Sequence, residues 1–223
     1  MGMCAVRPAG RATVLASLLC ALLAVGANIP ASAAAPHVRL FVLGDSIAGG
    51  SAQGGKGSYG WPSLVAEQLG LTLTLGAKGG TGYTTGGPQE GGRPYTQRVK
   101  QAIAAKPDVV VVEGSRNDVS PTRTRAAAVD TLRRLRAGLP HARILVIGPI
   151  YSFRRPVDSH PIDEAVSAAA EKFGLPYVSA VRRGWFTGSA HRFIGRDGVH
   201  PTNAGHAYLA KRIRPALSLL LRT

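Results

Sequence analysis

Asp108–Glu113 reads DVVVVE, four consecutive valines with an acidic residue at each end. Branched apolar side chains suit a pleated backbone, and an unbroken run of them leaves no polar face. The run therefore predicts a strand covered on both sides, as in a parallel sheet. Ala142–Ile147 (ARILVI) has the same character. Val38–Leu43 (VRLFVL), Leu71–Leu75 (LTLTL) and the shorter Pro176–Ser179 (PYVS) supply three more strands. Between them, apolar residues recur at helical spacing over Trp61–Leu69, Gln97–Ala105, Thr124–Leu139 and Ile162–Phe173, and again over Ala204–Leu221. This alternation predicts a three-layer α/β/α domain, with a mostly parallel five-stranded sheet between helices. Sites in such sheets form at the carboxyl ends of the strands.

The chain has 223 residues, and its start reads as a leader separate from the domain. Arg7 and Arg11 precede the uncharged run Val14–Ala27, and Ala31 and Ala33 fit the small-x-small pattern of signal cleavage. The run is shorter than the roughly 20 residues needed to span a bilayer. Residues 1–33 are thus expected to be a secretory signal peptide, and 34–223 a single domain large enough for one sizeable core, secreted or held at the cell envelope. Cys4 and Cys20 leave with the leader, so no disulfide or thiolate metal site is expected in the remaining 190 residues.

Loss of Arg7 and Arg11 lowers the formal charge from +15 to +13, which predicts attraction to an anionic cell envelope. No helix–turn–helix, zinc or aromatic-stacking signature points to nucleic acid. The six histidines show no metal-ligand spacing, and neither a metal nor a cofactor is expected.

Two motifs carry nucleophile chemistry. Gly44–Ile47 (GDSI) follows the first strand, where a tight turn can present the Ser46 hydroxyl and its own N–H. Alone, Ser46 reads equally as a turn or helix-capping serine. Asp197–Pro201 (DGVHP) lies in the loop before the last helix. A serine hydroxyl needs a base to take its proton, and histidine is the usual one. A carboxylate three residues from His200 can hold its ring in one tautomer. Pro201 is expected to open the following helix in its first turn.

On these motifs the sequence resembles the SGNH hydrolase family, the GDSL esterases and lipases, over most of the chain beyond the leader. The first block of that family matches GDSI, with Ile47 in place of the usual leucine, and the last matches Asp197 and His200. Ala77–Gly82 (AKGGTG) resembles the block that supplies an oxyanion-hole glycine. Spacing assigns that role to Gly82, with Gly80 as fallback. Ser115–Asp118 (SRND) stands in place of the Gly-x-Asn-Asp block, with Ser115 where glycine is usual. The resemblance implies a flavodoxin-like fold, Ser46, Asp197 and His200 as catalytic residues, and Ser46, Gly82 and Asn117 as the oxyanion hole. Asp45 and Asp118 read as residues that hold loops.

The implied activity is hydrolysis of carboxylic esters of small or medium acyl groups, on acetylated glycans or short acyl lipids, through an acyl-enzyme. An O-acyltransferase with the same residues, or a non-catalytic basic protein of the envelope, are the alternatives. Arg116, Arg154 and Arg155 follow strands and read either as the rim of a pocket or as solvated charge.

Overall fold

The computed structural model describes residues 37–88, 92–114, 116–152 and 159–222. The leader expected over residues 1–33 lies outside these, as do Ser115, Arg154 and Arg155. Among the described residues five strands form: β1 (Arg39–Gly44), β2 (Thr72–Ala77), β3 (Val109–Glu113), β4 (Arg143–Ile147) and β5 (Tyr177–Val178). Their spatial order is β2-β1-β3-β4-β5, and each neighbouring pair is parallel. The strand order reverses between β1 and β3, which opens a crevice at their carboxyl ends. The last β1–β2 pair in register is Gly44 with Ala77, so the segments that follow both strands emerge side by side.

Among the described residues the α-helices are α1 (Ser46–Gly49), α2 (Trp61–Leu69), α3 (Tyr95–Ala105), α4 (Pro121–Gly138), α5 (Ser159–Lys172) and α6 (Asn203–Leu220). Alternate strand residues feed two separate cores. Leu40, Val42, Val109, Val111, Leu145 and Ile147 pack with Trp61 and Val65 of α2 and with Leu209, Ile213 and Leu217 of α6. Phe41, Leu43, Val110, Val112, Ile144 and Val146 pack with Val99 of α3, Leu132 and Leu135 of α4, and Val166 of α5. Every valine of β3 is fully buried, and burying such a side chain contributes about 1.5 kcal/mol or more. The valine run, like β1 and β4 beside it, therefore has a core on each side.

The helices differ from the sequence reading mainly at their starts. The α4 helix begins at Pro121, because the Ser120 side chain accepts from the Arg123 N–H and proline takes the first turn. Apolar spacing sees only the later positions. At the other end of the chain, Thr202 caps α6 by accepting from the Gly205 N–H at 3.2 Å. Pro201 instead lies before the helix, bridged to Ile194, which corrects the expectation that it opens the first turn.

Candidate active site

The site begins where β1 ends. A Cβ at Gly44 would stand 2.6 Å from that of Ala48 and 3.0 Å from Glu113 Oε2, so this turn requires glycine. Asp45 caps α1, its Oδ1 accepting from the Ile47 N–H at 2.7 Å. Ser46 is the first residue of the short helix, where an N–H has no intrahelical acceptor.

The loop before α6 comes to the same place. Asp197 Oδ1 accepts from the Val199 and His200 N–H groups, both at 2.9 Å, and Oδ2 lies 2.7 Å from His200 Nδ1. Burial opposes ionisation of Asp197. The hydrogen bonds from His200 and Val199 outweigh it and leave the carboxyl below its ordinary pKa. An ionised carboxylate only accepts, so Nδ1 carries the ring proton and Nε2 is left as an acceptor. That Nε2 lies 2.8 Å from Ser46 Oγ. Three side chains from the two ends of the domain therefore form one hydrogen-bonded chain, at the carboxyl end of the sheet.

The glycine loop departs from the sequence reading. The Gly82 N–H donates to the Thr85 carbonyl at 2.8 Å, and the Gly82 carbonyl accepts from the Tyr95 N–H at 2.7 Å. Gly82 is thus committed to a turn and has no amide left for an oxyanion, a correction to its assignment. Gly79 lies beside Ser46. A Cβ at Gly79 would be 3.7 Å from that of Ser46, and Gly80 sits at φ +72°, a conformation that favours glycine.

Asn117 does reach the site. Its Nδ2 donates to the Thr81 carbonyl at 2.8 Å, and its second hydrogen faces Asp45 Oδ2 across a longer 3.3 Å. Asp118 accepts from the backbone N–H groups of Tyr83, Thr84 and Thr85 at 2.8–3.0 Å, and from both threonine hydroxyls. It holds the loop, the role the sequence reading gave it.

Four buried polar residues around the site were not singled out by sequence. Glu113 ends β3 fully buried, neither carboxyl oxygen has a hydrogen-bond partner among the described residues, and burial and the nearby Asp45 push its pKa well up. Burial likewise raises Asp45, to about 6, against the opposing Ile47 N–H and the charges of Arg116 and His200. The other three are Arg98 of α3, Ser152, whose hydroxyl donates to the Gly198 carbonyl, and His206 of α6. The available signals were an acid closing an apolar strand and a cation on the apolar face Tyr95–Val99–Ala102 of α3. Among the described residues no three His, Cys, Asp or Glu side chains gather as metal ligands, and no helix is long and apolar enough to cross a membrane.

Residues 42–208 match the model of the GDSL-like lipase/acylhydrolase family. A GDSL lipase of Mycobacterium tuberculosis is 32% identical over 191 residues, covering 81% of each chain. The crystal structure of TesA is similar at a TM-score of 0.67 with 22% identity, covering 82% of this chain and 99% of that one. A carbohydrate esterase family 2 enzyme of Corynascus thermopiles, solved with its carbohydrate-binding domain, is similar at 0.68 with 19% identity, covering 86% of this chain and 69% of that one.

Proposed function

For this chain, which belongs to the GDSL-like lipase/acylhydrolase family and is a carboxylic ester hydrolase, we propose a Ser-His-Asp acyl-enzyme mechanism acting on accessible esters outside the cell. The hydrogen-bonded chain Asp197–His200–Ser46 carries the reading. Nε2 takes the Ser46 proton as Oγ attacks the ester carbonyl. The resulting imidazolium is stabilised by ionised Asp197, and its proton passes to the departing alcohol oxygen. Water then attacks the acyl-Ser46 carbonyl, with its proton taken by the same Nε2, and releases the acid with serine restored. Each carbonyl addition places negative charge on oxygen. The donors for it are the Ser46 N–H, the Asn117 amide and an N–H of the Gly79–Gly80 turn, with Gly80 replacing Gly82.

Small or medium acyl groups, on acetylated glycans or short acyl lipids, are the substrates we infer. The fold likeness to a carbohydrate esterase supports the glycan arm. The leader-like residues 1–33 support export, with 34–223 as the working domain, and the +13 charge left without the leader supports association with an anionic envelope.

Labelling with a serine-directed fluorophosphonate, located by peptide mass, tests the mechanism. The label should fall on Ser46, and Ser46→Ala or His200→Ala should lower turnover of a short-chain aryl ester by roughly 10³-fold or more in folded protein. Near-full activity in either variant would sink the mechanism.

A further inference from the structure

Arg98 is almost wholly buried, at 5% exposure, yet its guanidinium meets no carboxylate within hydrogen-bond distance among the described residues. Its partners are all at the edge of the site. One nitrogen donates to the Gly44 carbonyl at 3.3 Å and to Thr81 Oγ1 at 2.8 Å, and the other donates to the Gly76 carbonyl. The Tyr95 ring also lies against it, the ring centroid 5.6 Å from the guanidinium carbon. Gly44 is two residues before Ser46, and Gly76 is the penultimate residue of β2.

Thr81 extends the connection. Its hydroxyl, held by Arg98, donates in turn to the Lys78 carbonyl at 2.7 Å, closing the turn that contains Gly79 and Gly80. Its carbonyl is the acceptor that fixes the Asn117 amide. Thus one side chain reaches the segments that carry all three proposed oxyanion donors. We propose that Arg98 is the positioning residue of the oxyanion hole, acting through the Gly44 carbonyl on Ser46 and through Thr81 on the Gly79–Gly80 turn and Asn117. This rests on the acyl-enzyme mechanism above.

The physical reason for an arginine is geometric. Its planar fork presents several donors in fixed directions, so it can hold two strand ends and a loop at once. A lysine offers one point charge on a flexible stem. Misplacement of donors by a fraction of an ångström weakens transition-state stabilisation and leaves ground-state binding of an ester largely intact.

The test compares Arg98→Lys, Arg98→Met and Thr81→Val in the full domain, using an aryl acetate and a fluorophosphonate as probes. Arg98→Met should lower kcat by about 10²-fold with KM changed less than about threefold, and fluorophosphonate inactivation should slow in parallel. Arg98→Lys and Thr81→Val should each lose about tenfold in kcat. Arg98→Lys combined with Asn117→Ala should lose less than the product of the two single effects, because both act on the same amide. Should Arg98→Met fail to fold, the lysine and valine variants carry the test.

The proposal is overturned if those two variants keep kcat within about twofold of wild type, or if their only change is a lower melting temperature. Fully multiplicative losses in the double variant overturn it as well. Failure of the underlying mechanism is a separate result, read from Ser46→Ala: an active Ser46→Ala removes the oxyanion hole altogether, whereas an inactive one with unaffected Arg98 variants rejects the positioning role alone.

Discussion

Asp197 grips His200 twice, at the ring through Oδ2 to Nδ1 at 2.7 Å and at the backbone through Oδ1 to the N–H at 2.9 Å. A four-residue segment thereby fixes both the position and the tautomer of the imidazole. Gly198, at φ +70°, allows the turn between them.

Asp197→Asn separates these two functions. The asparagine carbonyl can still accept the backbone N–H groups, so the turn should persist. Its amide would face Nδ1 as a donor and favour the wrong tautomer, which should lower kcat by about 10⁴-fold. Steady-state kinetics, with circular dichroism as the fold control, measures this. Loss of less than tenfold would remove Asp197 from the mechanism.

Asn117 is held by Thr81 with one amide hydrogen facing Asp45 at the longer distance. In the proposed mechanism that hydrogen turns to the oxyanion. Asn117→Ala should reduce kcat by about 10²–10³-fold with little change in KM, because the contact forms in the transition state. A large rise in KM at normal kcat would make Asn117 a substrate-binding residue instead.

His206 provides a test of stability against pH. It is fully buried, Nδ1 accepts from the Trp61 N–H at 3.3 Å, and Nε2 has no hydrogen-bond partner among the described residues. Burial, and secondarily the charge of His200, lowers its pKa to about 4 from an ordinary 6.5. The unfolded chain therefore binds the proton more readily, and stability falls as pH drops from about 6.5 toward 4. The loss amounts to about 2 kcal/mol or more between roughly pH 7 and pH 4.5. His206→Gln keeps an acceptor for Trp61 and does not titrate there. Urea unfolding at the two pH values should show a smaller acid loss in the variant than in wild type; equal losses would contradict the shift.

The sheet was legible in sequence because its signals are local. Four valines in a row have no polar face wherever they fold, and alternation with helical spacing leaves few layer arrangements. Asp197 and His200 were legible together for the same reason, since a separation of three in a turn suffices to join them. Ser46 could be named only by resemblance to a family, as its bond to His200 spans 154 positions.

Tertiary packing alone decided the rest. That the Gly82 N–H is taken depends on the Thr85 carbonyl, which meets it only once the loop folds, with the Gly82 carbonyl held by the Tyr95 N–H at the start of α3. Arg98 reads in sequence as one more cation in a basic chain, and Glu113 as a polar end to a strand. Burial makes each consequential: it removes water from both, turning the guanidinium toward two carbonyls and a hydroxyl of three separate segments and leaving the carboxyl beside Asp45 with its pKa raised. Such partners are chosen by proximity across the fold, which no spacing along the chain records.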